Sequence, residues 1–348
     1  MPITPNFLER LLMLKLNQVP APTLDMYGVI ANRAISIALR LGIFEILREG
    51  PMTPGEVARR TKVSERGIAL LLGALEPIGY LKKVADRYNN TALVTKWMLQ
   101  DSPTTIVHLF LFFDTVIERC GYLEETIREG KPRLSGWEWF NQHPDSWEAY
   151  YAGMLDGARL SADEVVSKVS LNPHVHKLLD VGGGHGLYSI RFCQRYADLH
   201  ATIFDWPQAL KIAERTITTE GLNERIELHN GDIWKDDLGR DYDVALLFNV
   251  IHMYSPDKNI VLIQRVKNAL KQGGILVIMD QVASKGRGSA AKAIAKLQGL
   301  QLFNSVMGQT YPADEIALWL EHTGFSRIQS QMLLKAPSSG LVIGIKSD

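Results

Sequence analysis

Leu246–Pro256 reads LLFNVIHMYSP, an apolar run that closes on Asn249 and is followed by a lone imidazole, His252, where a strand gives way to a loop. An imidazole with a pKa of about 6.5 can take a proton from a hydroxyl at neutral pH, so His252 is a candidate general base. Other residues with chemical potential fall on neighbouring strand ends. LLDVGGGHG places Asp180, then Gly182, Gly184 and Gly186, between a strand and a helix. TIFDWP closes the next strand with Asp205 and Trp206, and NGDIW sets Asp232, Ile233 and Trp234 after the third. Glycines at such a turn let a ligand come close to the backbone. A dinucleotide loop wants a further glycine three residues after Gly184, where Leu187 stands, so the loop suits a ligand without a pyrophosphate. A carboxylate at Asp205 can accept hydrogen bonds from both hydroxyls of a ribose. Asp232 can accept from the exocyclic amine of an adenine that Ile233 and Trp234 sandwich. Asp also caps helices and turns, but three acids on successive strand ends point to one ligand.

These residues need a sheet to hold them. From Lys177 onward KLLDVGG, HATIFDWP, RIELHNGDIW, YDVALLFNV and GGILVIMDQV alternate with helical stretches at Leu187–Tyr196, Pro207–Glu220 and Asp257–Leu270. That alternation predicts a parallel sheet wound on both faces, which binds ligands at the carboxyl ends of its strands. Residues 104–170 read as helical and dense in aromatics, including Trp137, Trp139, Phe140, Trp147, Tyr150 and Tyr151. Much of this is expected to be core, and such a density beside a catalytic domain can alternatively line a pocket for a flat apolar ligand; spacing does not separate the two.

Further upstream, Thr53, Pro54 and Glu56 mark the start of one helix, and Ser64 that of a second with an apolar face of Ile68, Leu71, Leu72 and Leu75. A strand pair around a turn at Ala85–Arg87 follows, completing a winged-helix pattern. A DNA-reading helix needs outward Arg, Lys, Asn or Gln, whereas Ser64–Tyr80 offers Glu65, Arg66 and Glu76. The module is therefore expected to pack or dimerise rather than bind nucleic acid.

Totals agree with that assignment. Over 348 residues, Lys+Arg and Asp+Glu balance at 38 each, which gives no electrostatic footprint for nucleic acid or an anionic membrane. Cys120 and Cys193 imply neither a disulfide framework nor a metal site. His174 and His176 lack a third ligand of suitable spacing, so no metal is expected. The apolar run Ile106–Phe113 is too short to span a bilayer, and the charged N-terminus is no secretory signal. The expected location is the cytoplasm.

The ordered set DVGGGHG, FDWP, NGDIW, NVIHMYSPDKN and GGILVIMDQV, behind a winged-helix half, resembles the S-adenosylmethionine-dependent small-molecule O-methyltransferases. These are the plant caffeate-type enzymes and their bacterial relatives in secondary metabolism. The resemblance covers nearly the whole chain. It implies an α/β fold with a Rossmann-like methyltransferase domain (a mostly parallel seven-stranded sheet) and an N-terminal helical, winged-helix-like dimerisation domain. Residues 1–103 would then form the dimerisation domain, 104–170 a helical connector lining the substrate pocket, and 171–348 the S-adenosylmethionine-binding catalytic domain. The likeness assigns Asp205 to the ribose, Asp232 and Ile233 to the adenine, and Gly182 and Gly184 to the methionine end, with Asp180, Trp206, Trp234 and Asn249 completing the cofactor site. It places His252 as the base, with Asp280 standing for the glutamate that orients it in relatives, and product S-adenosylhomocysteine. Tyr150, Met154, Leu300, Gln301 and Phe303 match positions that meet the substrate, a small aromatic molecule of phenolic or quinone-like character. Met253 replaces an acid common after the histidine, and Gln309 and Thr310 stand where a second glutamate is usual. This thinner acid support leaves open C- or N-methylation, or sulfonium-assisted hydroxylation, decarboxylation or pericyclic chemistry. A winged-helix ligand-sensing regulator and a nicotinamide oxidoreductase are the other readings, and Leu187 and Asp232 speak against the last.

Overall fold

Side-chain caps open the first, fourth and fifth α-helices in the N-terminal part of the chain. α1 (Phe7–Arg10), α2 (Pro22–Arg40), α3 (Ile43–Ile46) and α4 (Pro54–Thr61) follow one another. α4 opens on the expected capping box, in which the Glu56 N–H donates to Thr53 and the Thr53 N–H donates to Glu56. α5 (Glu65–Leu75) starts behind Ser64, which accepts the Gly67 N–H, and buries Ile68, Leu72 and Leu75. The antiparallel pair β1 (Leu81–Val84) and β2 (Arg87–Asn90) comes next, then α6 (Ala92–Trp97) and α7 (Val107–Arg119). Arg87 already lies in β2, so the turn is tighter than the sequence suggested and rests on Ala85, with φ +54°. The computed structural model describes residues 3–282, 288–336 and 338–347. The chain divides into two units, residues 1–115 and 116–348, and the stretch expected as a connector is shared between them. In the first unit α2 buries Ala31, Ile35 and Ala38 on one side and leaves Met26, Val29, Ile30 and Ile37 exposed on the other.

The second unit continues with α8 (Leu123–Glu129), α9 (Gly136–Gln142) and α10 (Ser146–Lys168). Strands and helices then alternate: β3 (Lys177–Val181), α11 (Leu187–Arg195), β4 (His200–Asp205), α12 (Pro207–Thr219), β5 (Ile226–Asn230), β6 (Tyr242–Phe248), α13 (Pro256–Ala269) and β7 (Leu270–Gln281). α14 (Ser289–Val306), α15 (Ala313–His322), β8 (Phe325–Met332) and β9 (Ser339–Lys346) complete it. The strand order is β5-β4-β3-β6-β7-β9-β8, parallel from β5 to β7, with β9 inserted antiparallel between β7 and β8.

Both faces of this sheet are covered. On β6 Val244, Leu246 and Phe248 join the core layer under α10 and α11, while Ala245 and Leu247 face the layer of α13 and α15. Alternate side chains of a strand point to opposite faces, so a strand apolar at every position belongs in the middle of a covered sheet. The winding reverses between β3 and β6, since β4 and β5 lie on one side of β3 and β6 to β9 on the other. That reversal opens a crevice at the carboxyl ends of β3 and β6, where ligands of such folds sit. Among the described residues no helix is long and apolar enough to cross a membrane.

Candidate active site

The loop after β3 lies at this crevice. Its shape depends on Gly184, at φ +54°, whose N–H donates to Asp205 Oδ2 at 2.8 Å. The other oxygen of Asp205 accepts the Trp206 N–H at 2.7 Å. Burial nevertheless pushes the Asp205 carboxyl up to about 6 against these two bonds. A ligand that donates further hydrogen bonds to it would hold the ionised form, as two ribose hydroxyls would. Asp180 lies beneath the loop, only 1% exposed, and accepts the Ser189 hydroxyl at 2.7 Å. Burial first, and the neighbouring Asp205 second, push it up to about 7. Its carboxylate supports the loop from behind, because a Cβ at Gly183 would stand 2.7 Å from its carboxyl carbon.

On the far side of the crevice, past β5, Asp232 is half-buried. Oδ1 accepts the Trp234 N–H at 2.9 Å and Oδ2 meets Lys235 at 3.1 Å, and these bonds draw its carboxyl below the ordinary range. Ile233 and Trp234 pack beside it, with the Trp234 ring edge-on to Tyr254 at 4.8 Å. Trp206 is exposed and meets Trp137 edge-on at 4.8 Å. The donor set of this crevice consists of carboxylates, backbone N–H groups, glycines without Cβ and indoles. It fits a cationic nucleoside: of about four acceptor sites per carboxylate, two on Asp205 and two on Asp232 are filled, so about four stay open to hydroxyl and amine donors.

Sequence reasoning named Tyr151 among the aromatics of the helical stretch but not as a site residue. It is buried, stacks on Trp147, and its ring carbon lies 3.6 Å from where a Gly184 Cβ would be. Burial and the Asp205 charge push the Tyr151 hydroxyl upward and that of Tyr150 up to about 12, so both stay protonated. Met154, one turn along α10, is half-buried.

The base candidate sits on a short turn, Ile251–Met253, beyond β6. Asn249 leaves the strand with φ +55°, donates its N–H to Met279 O at 2.8 Å and accepts Gln281 Nε2 at 3.0 Å. The His252 Nδ1 lies 2.7 Å from Asp280 Oδ1, and the His252 N–H donates to Asp280 Oδ2 at 3.2 Å. Asp280 is 2% exposed, and its Oδ1 also accepts the Gln281 N–H at 2.7 Å. An ionised carboxylate only accepts, so Nδ1 carries the proton and Nε2 presents its lone pair. The expected orienting partner is thus in contact despite its shorter side chain. Behind the turn Gln309 donates its N–H to the His252 carbonyl at 2.9 Å. Gly308 must be glycine, since a Cβ there would fall on that carbonyl oxygen.

Helix α14 packs against this turn and carries three of the five predicted substrate residues, Leu300 exposed, Gln301 half-buried with its Nε2 3.4 Å from Ser305 Oγ, and Phe303 half-buried, while Tyr150 and Met154 lie on α10. The His174–His176 pair remains outside the site, and among the described residues no group of three metal-ligating side chains occurs.

Comparison with known proteins agrees with this fold. The family model for the O-methyltransferase domain matches residues 121–326, and that for the O-methyltransferase dimerisation domain matches 25–101. The chain is similar to 3-hydroxy-5-methyl-1-naphthoate 3-O-methyltransferase of Streptomyces sahachiroi, with 25% identity over 92% of this chain and 93% of that protein. It is 28% identical to acetylserotonin O-methyltransferase of Bos taurus over 78% of this chain and 83% of that one. The crystal structure of human N-acetylserotonin methyltransferase in complex with S-adenosylmethionine shares the fold, with a TM-score of 0.84, 21% identity and full coverage of both chains. With a sheet of this winding, a crevice that fits a cationic nucleoside and both family models in order along it, the chain belongs to the S-adenosylmethionine-dependent O-methyltransferase family.

Proposed function

We propose that this enzyme methylates a hydroxyl of a small aromatic metabolite, phenolic or quinone-like, with His252 as general base, and that it works in the cytoplasm as a homodimer. The observation that carries the reading is the 2.7 Å contact between His252 Nδ1 and Asp280, made at the carboxyl end of β6 beside the glycine loop. S-adenosylmethionine supplies a methyl group on a sulfonium, open to in-line displacement by an oxygen nucleophile. A phenol with a pKa of about 10 is a weak nucleophile at neutral pH, and Nε2 of His252 takes its proton as attack begins. Asp280 holds the ring in the accepting tautomer and stabilises the imidazolium that results. Asp205 takes the ribose hydroxyls. Asp232, Ile233, Trp206 and Trp234 hold the adenine, and Gly182, Gly184 and Asn249 line the methionine end, with Asp180 bracing the loop. Tyr150, Met154, Leu300, Gln301 and Phe303 form the acceptor wall.

An aromatic acceptor is supported by the relatives, one named for a hydroxynaphthoate and another for acetylserotonin. Pairing of two copies is supported by the match to the dimerisation domain and by the exposed apolar stripe of α2. Calorimetric titration with S-adenosylhomocysteine tests the donor site, and labelled donor with a panel of phenols tests the transfer. The His252→Ala variant should lose turnover while S-adenosylhomocysteine affinity stays within a few fold. A large loss of that affinity would instead make the histidine a structural element of the donor site.

A further inference from the structure

One polar residue stands on the buried face of α13. Asn259, Leu262, Ile263, Val266 and Ala269 recur at the spacing of a helix side turned to the core, which calls for an apolar residue at 259. Asn259 is fully buried, and its Oδ1 has no hydrogen-bond partner. That placement opposes stability, since Asn is a mediocre helix former and an amide oxygen kept from both water and donors is costly. Nor does the side chain cap its own helix. A capping side chain accepts from the free N–H groups of the first turn, whereas the Asn259 amide donates.

Both of its bonds go to the turn that carries the base. Asn259 Nδ2 donates to the Ile251 carbonyl at 2.9 Å and to the Tyr254 carbonyl at 3.3 Å, one on each side of His252. A single amide thereby ties the two ends of the turn together. Other donors hold the same backbone: the Gln309 N–H reaches the His252 carbonyl at 2.9 Å, and the Tyr311 hydroxyl reaches the Tyr254 carbonyl at 2.6 Å. On the side of β7, the His252 N–H donates to Asp280 Oδ2 at 3.2 Å, and Nδ1 lies 2.7 Å from Oδ1. Few bonds separate Nδ1 from the His252 Cα, so a shift of this backbone carries into the ring and its contact with the carboxylate.

We infer that Asn259 is a positioning residue for the methyl transfer: its buried amide holds the turn so that the His252 ring meets Asp280 with Nδ1 protonated and Nε2 free to accept. The inference rests on the methyl-transfer reading above and deepens it. Asn259→Ala, made in the full chain, separates positioning from packing. Each carbonyl it releases keeps a second donor, the Tyr254 N–H for Ile251 at 3.2 Å and the Tyr311 hydroxyl for Tyr254, so the thermal midpoint should stay within about 4 °C of wild type. Tyr254, whose ring meets Trp234 of the nucleoside wall, also stays in place, so S-adenosylhomocysteine affinity should hold within threefold. Turnover of a phenol panel with labelled donor should fall about 10- to 100-fold in kcat with KM unchanged, the scale of a misplaced catalytic group. Nitrogen-15 shifts of the His252 ring, assigned by their loss in His252→Ala, should move toward the Nε2-protonated form. Wild-type kcat and ring shifts in Asn259→Ala would overturn the assignment, and so would a parallel loss of midpoint, donor affinity and kcat, which marks a packing element. Should Asn259→Ala not fold, Asn259→Ser, which keeps one donor, decides: lowered kcat at normal KM upholds the assignment, and unchanged kcat overturns it. If the wild type transfers no label to any phenol, the reading beneath falls, while the ring shifts still judge Asn259.

Discussion

Replacing Asp280 with Asn changes charge and hydrogen-bonding capacity with almost no change in shape. Asp280 Oδ1 faces His252 Nδ1 and the Gln281 N–H at 2.7 Å each, and Oδ2 faces the His252 N–H at 3.2 Å. All three neighbours are donors. An amide oxygen in the Oδ1 position keeps the first two bonds and sets its own NH2 against the His252 backbone N–H. The opposite orientation meets the Gln281 N–H with a donor and moves the imidazole proton to Nε2. The first arrangement opposes fewer donors, so the accepting Nε2 survives but the negative charge beside the forming imidazolium is gone. A hydrogen bond to a charged group contributes about 1.5–3 kcal/mol, so kcat should fall roughly 10- to 150-fold. Donor affinity should change little, since Asp280 does not face the nucleoside residues. Turnover with labelled S-adenosylmethionine measures the first effect, and calorimetry with S-adenosylhomocysteine the second. Nitrogen-15 shifts of the His252 ring report the tautomer without any acceptor. Unchanged kcat in Asp280→Asn, with Nε2 still accepting, would refute the role given to the carboxylate.

Burial raises Asp180 to about 7 and Asp205 to about 6 from an ordinary value of 3.8, so the folded state binds these two protons more tightly than the unfolded chain. Their contribution to stability is full below about 4 and is lost as pH rises through 6 and 7. Denaturation midpoints of Asp180→Asn, compared with wild type across that window, should therefore decline less steeply with pH. The ionised Asp205 accepts ribose hydroxyls at both oxygens and more strongly than the neutral acid, so S-adenosylhomocysteine affinity should weaken as pH falls below about 6, visible by titration at pH 5 and 7. Gly308→Ala puts a methyl on the His252 carbonyl oxygen, and the forced shift should destabilise the protein by about 1–3 kcal/mol in chemical denaturation and slow turnover more than it weakens donor binding. Ile30→Asp places a charge in the exposed stripe of α2 and should move the sedimentation profile from dimer toward monomer; an unchanged profile would clear this face of pairing.

The sequence by itself determined the winding of the sheet and the residues at its strand tips. Apolar runs separated by glycine turns and amphipathic helices have few three-dimensional solutions, and acids at strand ends acquire meaning from that topology alone. The capping box at Thr53 and Glu56 was legible for the same reason, since its partners are three residues apart. Tertiary structure decided what depends on register and depth. Phe248 pairs with Met279 across neighbouring parallel strands, so the next step along each strand brings Asp280 level with the turn that carries His252, 28 residues away in sequence. Nothing local encodes that alignment. The same holds for Asp180, turned beneath the loop, for Tyr151 against Gly184, and for Arg119 reaching a carbonyl 186 residues along the chain. Local pattern chooses the elements because backbone and side-chain periods act over a few residues, whereas contacts between side chains follow from how the finished layers pack.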